Sequence, residues 1–169
     1  MAVYDDLRGW DTLPYLAQEF YLEYGDFDYW ITVPSDMLVA GSGELQNPDE
    51  VLTATERQRL AQAHGSDRTV TIRAPGEVTD PKTRPKQGGT LTWHYAMKNS
   101  RDVAWSASSV FAWDAARINL PGGRTSLAQS FYPPESAGPA RWGRSTEYMK
   151  DAVERFSAWF PYPLSLIHI

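Results

Sequence analysis

The chain has 169 residues, no cysteine and a formal net charge of −5. Its length suits one domain and a piece of another, with enough chain to bury a core without staples. The missing cysteines exclude disulfides and thiolate metal sites, the acidic balance argues against nucleic acid, and no apolar run approaches the roughly 20 residues that span a bilayer.

The opening Met1-Ala2-Val3-Tyr4-Asp5-Asp6 lacks the basic start and apolar core of a secretory signal. Residues 1–18 keep no period, and Pro14 interrupts any helix. Glu19–Tyr24 alternates Phe20, Leu22 and Tyr24 against Glu19, Tyr21 and Glu23, and Asp28–Val33 alternates Tyr29, Ile31 and Val33. With Gly25-Asp26 between them, the two runs predict an antiparallel hairpin that Pro34 ends. Met37–Leu45 reads as a third strand, where Gly41 or Gly43 signals a bulge or a close backbone approach.

Asn47–Glu50 is a turn, and Thr53 with Glu56 three residues on fits a capping box. The spacing predicts a short polar helix over 56–63, with His64 in its last turn and Gly65 at its end. Thr69–Arg73 alternates as a strand. Residues 74–89 hold three prolines and three glycines without a period and read as a loop, most simply a tolerated surface insertion.

Trp93–Ala107 then forms a corner. Trp93, Tyr95 and Met97 share one face and His94, Ala96 and Lys98 the other, Asn99–Asp102 turns, and Val103–Trp105 resumes the apolar run. Trp93 and Trp105, one on each arm, are expected to anchor the core, with Trp105 largely buried. Phe111–Leu120 and Thr125–Tyr132 flank Pro121-Gly122-Gly123 as a hairpin. Prolines and glycines at 133–143 mark a linker.

From Ser145, the expected N-cap, the period becomes 3.6. Met149, Ala152, Val153, Phe156, Trp159 and Phe160 line one helical face, and Pro161 stops the helix. Lys150–Glu154 and Asp151–Arg155 are i,i+4 pairs placed on the outer side. The apolar face asks for a partner larger than the nine residues that follow it. The residues therefore predict a mainly β chain, an antiparallel β-sandwich followed by one amphipathic α-helix.

The chemistry is sparse. His64, His94 and His168 are far apart in sequence, and a zinc site commonly uses a closely spaced pair. His64 and His94 read as surface or structural residues. No H-E-x-x-H, G-x-S-x-G, P-loop or G-x-G-x-x-G occurs. Asp5-Asp6 and Asp26/Asp28 lack the ligand spacing of a calcium loop and read as solvated turns. A glycosidase carboxylate pair is not identifiable among 21 acidic residues. No catalytic, metal-binding or substrate-binding residue is assigned. The seven Trp, nine Tyr and six Phe suit a β-rich core, and a stacking platform for sugars or bases would need exposed, coplanar rings.

Several segments resemble the aminopeptidase N family of zinc metallopeptidases. Arg101-Asp102-Val103-Ala104-Trp105 is similar to that family's Arg-Asp-Phe-Ala-Trp segment. Tyr24–Pro34 is similar to its Gly-x-Phe-Asp-Val-x-Ile-x-Val-Pro strand, and Leu38–Asn47 to the strand after it. Thr146–Phe160 followed by Pro161-Tyr162-Pro163 resembles the first helix of the catalytic domain and its Tyr-Pro-Tyr-Pro exit. The segments stand in family order from about Met1 to Pro163, and none is itself catalytic.

The resemblance implies a saddle-like N-terminal β-domain over 1–132, a linker and first catalytic-domain helix over 133–163, and a tail over 164–169 that departs from the family and is similar to translated sequencing adapter. It implies a parent enzyme that removes N-terminal residues from peptides with zinc-activated water. The zinc and exopeptidase motifs would lie beyond Pro163, and the N-terminal-domain residue that helps bind the substrate amine would lie before Met1. This chain alone is then expected to hold no cofactor and to be inactive, its partner being the catalytic domain of the same parent. The competing readings are a stand-alone β-sandwich binding module for a glycan or protein, and a scaffold that docks a partner through the Met149–Phe160 face.

Overall fold

The computed structural model describes residues 3–12, 14, 16 and 22–160. Among these residues ten strands form four antiparallel sheets, and a 15-residue helix closes the described chain. A two-stranded ribbon comes first, β1 (Val3–Asp5) against β2 (Gly9–Asp11). β3 (Gly25–Pro34) pairs with β7 (Thr90–Ser100), and β7 pairs on its other side with β5 (Glu44–Leu45). β4 (Leu38–Gly41) pairs with β8 (Trp105–Ser108). In the remaining sheet β9 (Ala112–Asn119) lies between β10 (Thr125–Tyr132) and β6 (Val70–Arg73). The helices are α1 (Pro48–Val51), α2 (Ala54–His64) and α3 (Ser145–Trp159).

Alternation places the core. On β3 the residues Ile31 and Val33 are buried, while Trp30 and Thr32 are exposed; on β7, Trp93, Tyr95 and Met97 are buried. Ile31, Val33, Trp93 and Tyr95 join Leu38, Val39, Val51, Leu52 and Ala63 with Ile72, Trp113 and Ala115 of the β6–β9–β10 sheet in one cluster. The opposite face of that sheet carries Ile118 and Ala128, which pack on Val153 of α3. One strand thus serves two cores because its successive side chains point to opposite faces.

Of the predicted hairpin of Glu19–Tyr24 with Asp28–Val33, only the second strand is seen among the described residues. Residues 19–21 lie outside the described residues, and Leu22–Tyr24 are not in a strand. Gly25-Asp26, read as a turn, begins β3 and carries a register shift before Phe27. The partner of β3 is β7, because both offer an alternating apolar face while their outer faces pair Thr32 with Thr92 at 2.8 Å. The predicted third strand is likewise split, β4 and β5 serving different sheets. Both glycines there meet the expected close approach: a Cβ on Gly41 would sit 2.9 Å from the Tyr95 ring, and one on Gly43, at φ +89°, would sit 2.4 Å from the Ala96 carbonyl oxygen.

Thr53 and Glu56 form the predicted capping box. Glu56 does more than cap. Its side chain is 2% exposed and accepts from Arg73 Nε at 2.8 Å. Arg73 also donates to the Thr83 carbonyl, Arg59 grips Glu77, and Arg84 donates to the carbonyls of Val78 and Ser109. The 74–89 segment is therefore fastened by three arginines through two 3-10 turns, Pro75–Glu77 and Pro81–Thr83, instead of being a loose insertion.

The corner at 99–104 separates sheets. β7 ends at Ser100, and β8 leaves to pair with β4. Trp105, expected in the core, is 55% exposed. Its register partner is Gly41, which offers no side chain to pack against, at the end of a two-stranded ribbon. Trp93 is 1% exposed, as expected.

Candidate functional site

Two surfaces stand out. The first lies on the outer face of the β3–β7–β5 sheet. Because Asp28, Trp30 and His94 occupy outward positions in register, Trp30 faces His94 and Asp28 faces Ala96. The His94 ring stacks on the Trp30 indole with centroids 4.4 Å apart, and His94 Nε2 lies 2.5 Å from Asp28 Oδ1. Asn47 supports the strand from below, accepting from the His94 amide at 2.9 Å and donating to the Thr92 carbonyl at 2.9 Å. Beside this stack an open hollow of about 350 Å³ is lined by Asp26, Phe27, Asp28, Gln46, His94 and Lys98. Asp26, read as solvated, accepts from the Asn99 amide at 2.8 Å.

A histidine–carboxylate pair orients an imidazole, and catalysis would further need a nucleophile within hydrogen-bond reach of the ring. None contacts His94 among the described residues. The chemistry on offer is stacking on an exposed indole next to charged and amide groups. The pairing was hidden from the sequence because Asp28 and His94 are 66 positions apart.

The second surface is α3. Its buried residues are Thr146, Lys150, Val153 and Ser157, and only Val153 of these belongs to the predicted apolar face. Phe156 is 48%, Phe160 56% and Trp159 72% exposed. The helix begins at Ser145 with Arg144 in the cap position, and Arg144 forks onto Glu147 at 2.7 and 2.8 Å. Lys150, expected to face outward, is 9% exposed. It pairs with Glu154 and reaches Asp67 at 3.8 Å. Glu154 accepts from the Asn119 amide at 2.7 Å, and Asp67 accepts from Asn119 Nδ2 and Arg117. Burial pushes the Glu154 carboxyl up, but its bonds to Lys150 and Asn119 together hold it below the ordinary value. Bonds from Asn119 and Arg117 likewise hold Asp67 down. This network rotates the helix: at about 100° per residue the docked face and the aromatic stripe are roughly a quarter turn apart.

His64 and His94 are not brought together. His64 ends α2 on the surface, His94 sits mid-β7, and His168 lies outside the described residues. Among the described residues no group of three or more His, Asp or Glu is placed to hold a metal. No helix among them is long and apolar enough to cross a membrane. No protein-family model, curated protein or solved structure matches the chain.

Proposed function

We propose that this chain is the N-terminal β-domain, arranged as a sandwich, and the first catalytic-domain helix of a zinc aminopeptidase of the aminopeptidase N family. The observation that carries the reading is the order of the resembling segments, Tyr24–Pro34, Leu38–Asn47, Arg101–Trp105 and Thr146–Phe160. Support comes from α3: a helix that opened a larger domain would need an apolar face for that domain, and Phe156 and Trp159 present one. In this reading the zinc, the activated water and the site for the peptide amine belong to the rest of the parent enzyme.

Reading the gene in frame beyond the Phe160 codon tests the parentage. An H-E-x-x-H with a downstream Glu is expected, and an unrelated or closed frame would overturn it. As a second check, the purified 169-residue chain should release no chromophore from an aminoacyl-anilide; chelator-sensitive turnover would refute its non-catalytic role.

The exposed Trp30–His94 stack favours a second reading, a β-sheet module that binds a small polar ligand such as a glycan. Trp93 and Trp113 do not serve it, being 1% and 3% exposed. Loss of glycan-array binding on Trp30→Ala would support this reading, and no binding by the native chain would remove it.

A further inference from the structure

The hollow beside the Trp30–His94 stack has a floor, and the floor is Ala96. On β7 the outward side chains include His94, Ala96 and Lys98, since Trp93, Tyr95 and Met97 point into the core. Ala96 is the smallest of them. It sits on the central strand of its sheet, with Asp28 of β3 in register on one side and Glu44 of β5 on the other. Leu45 packs on the core, so Glu44 shares the outward face. His94 and Lys98 stand roughly 7 Å from Ala96 along the strand, one in each direction. A methyl group ringed by four larger side chains leaves the hollow of about 350 Å³, inside the range of about 300–1,000 Å³ common to small-ligand sites.

The walls are fixed at some points and open at others. Asp28 accepts from His94 Nε2 and Asp26 from the Asn99 amide, each through Oδ1. Each carboxylate keeps its second oxygen as an acceptor. His94 is held twice, by Asp28 and by the stacked Trp30 indole, and of the stacked pair it is His94 that lines the hollow. Among the described residues no hydrogen bond or ion pair ties down the Lys98 ammonium or the Glu44 carboxylate.

We propose that this hollow is the subsite for one uncharged sugar residue of a glycan, its ring seated over Ala96 and its hydroxyls shared among Asp28, Glu44 and Lys98. This subsite rests on the glycan reading, to which it adds where the sugar sits and which sugars are refused. A hydroxyl donates and accepts at once, so a neutral ring can donate to the carboxylates and accept from the ammonium. An acidic sugar would set its own carboxylate against Asp26, Asp28 and Glu44, which outnumber Lys98. The imidazole, backed by Trp30, gives the apolar face of the ring an aromatic wall. In this arrangement Trp30 is a positioning residue that acts through His94.

Ligand-observed NMR on the 169-residue chain tests it with the methyl glycosides of glucose, galactose and mannose, and with methyl glucuronide as the acidic control. At least one neutral glycoside should bind with a dissociation constant below about 10 mM, and the glucuronide should bind about tenfold more weakly or worse. Ala96→Leu raises the floor while leaving Trp30, His94 and Asp28 in place; it should weaken neutral binding about tenfold or more, with the circular dichroism unchanged. Lys98→Met, at an exposed position, should weaken it about threefold or more. Neutral binding that survives Ala96→Leu in folded form overturns the subsite, and its loss in Trp30→Ala would still leave the glycan reading standing. A glucuronide bound as tightly as the neutral glycosides also overturns the subsite. A wild type that binds none of the neutral glycosides at the stated strength removes the glycan reading and the subsite with it. If Ala96→Leu unfolds, Lys98→Met decides, and undiminished affinity in that variant overturns the subsite.

Discussion

Strand β7 and helix α3 are both amphipathic in sequence, yet their patterns predict burial with very different success. On β7 the apolar set Trp93, Tyr95 and Met97 is the buried set. On α3 the apolar set shares Val153 and part of Met149 with the buried face, while Phe156, Trp159 and Phe160 remain in solvent. A strand has two faces, so choosing the apolar one fixes the packing. A helix offers a continuum of faces, and polar anchors can turn it. The Asp67–Asn119–Glu154–Lys150 network does so here.

This contrast is broken most forcefully at the buried end. Trp93→Ala should cost about 3–5 kcal/mol by denaturant titration, whereas Trp105→Ala, at an exposed position on the other arm of the corner, should stay within about 0.5 kcal/mol. Equal losses would mean that the two arms are packed alike. Glu56→Ala should cost about 3–5 kcal/mol, because it strands the guanidinium of Arg73 in a 2% exposed site as well as removing the cap. The same measurement on Thr53→Ala should show only the cap, about 1 kcal/mol.

Smaller effects sharpen the comparison on the helix. Val153→Ala should cost about 1–2 kcal/mol from lost burial, and Phe156→Ser at most about 0.5 kcal/mol. The reverse ranking would show that the aromatic face is the docked one. The smallest effect is on pH. Glu154 has a carboxyl depressed in the folded state relative to an unfolded Glu near 4.3. Its stabilising contribution is then complete above that value and is lost as pH falls through the folded value. The stability slope below about pH 4.3 should flatten in Glu154→Gln, followed by urea midpoint against pH; an unchanged slope would remove Glu154 from the anchor.

What was legible in the sequence was local. The Thr53–Glu56 cap, the close approaches at Gly41 and Gly43, the β9–β10 hairpin and the inward face of β7 all follow from residues within a few positions of one another. What was not legible depends on distant partners. β3 takes β7 as its register partner, and nothing near β3 in the sequence points to that strand. Hydrophobicity alone puts Trp105 in the core, and its exposure follows from Gly41 opposite it. The Asp28–His94 pair and the burial of Glu56 against Arg73 depend on which strands meet, and no spacing rule announces that. The outer-face hollow beside Trp30 was invisible for the same reason.

The pairing of β3 with β7 also bears on how the chain is made. Pro34 is in register with Thr90, so β3 emerges from the ribosome roughly 55 residues, or about 3–11 s of synthesis, before its partner begins to appear. Through that interval Tyr29, Ile31 and Val33 have no β7 face to pack on, and the nascent strand presents an apolar row flanked by unpaired amides. Chaperone holding or a pause in translation would act here, and slow β7 synthesis would lower yield even if the finished fold were unaltered.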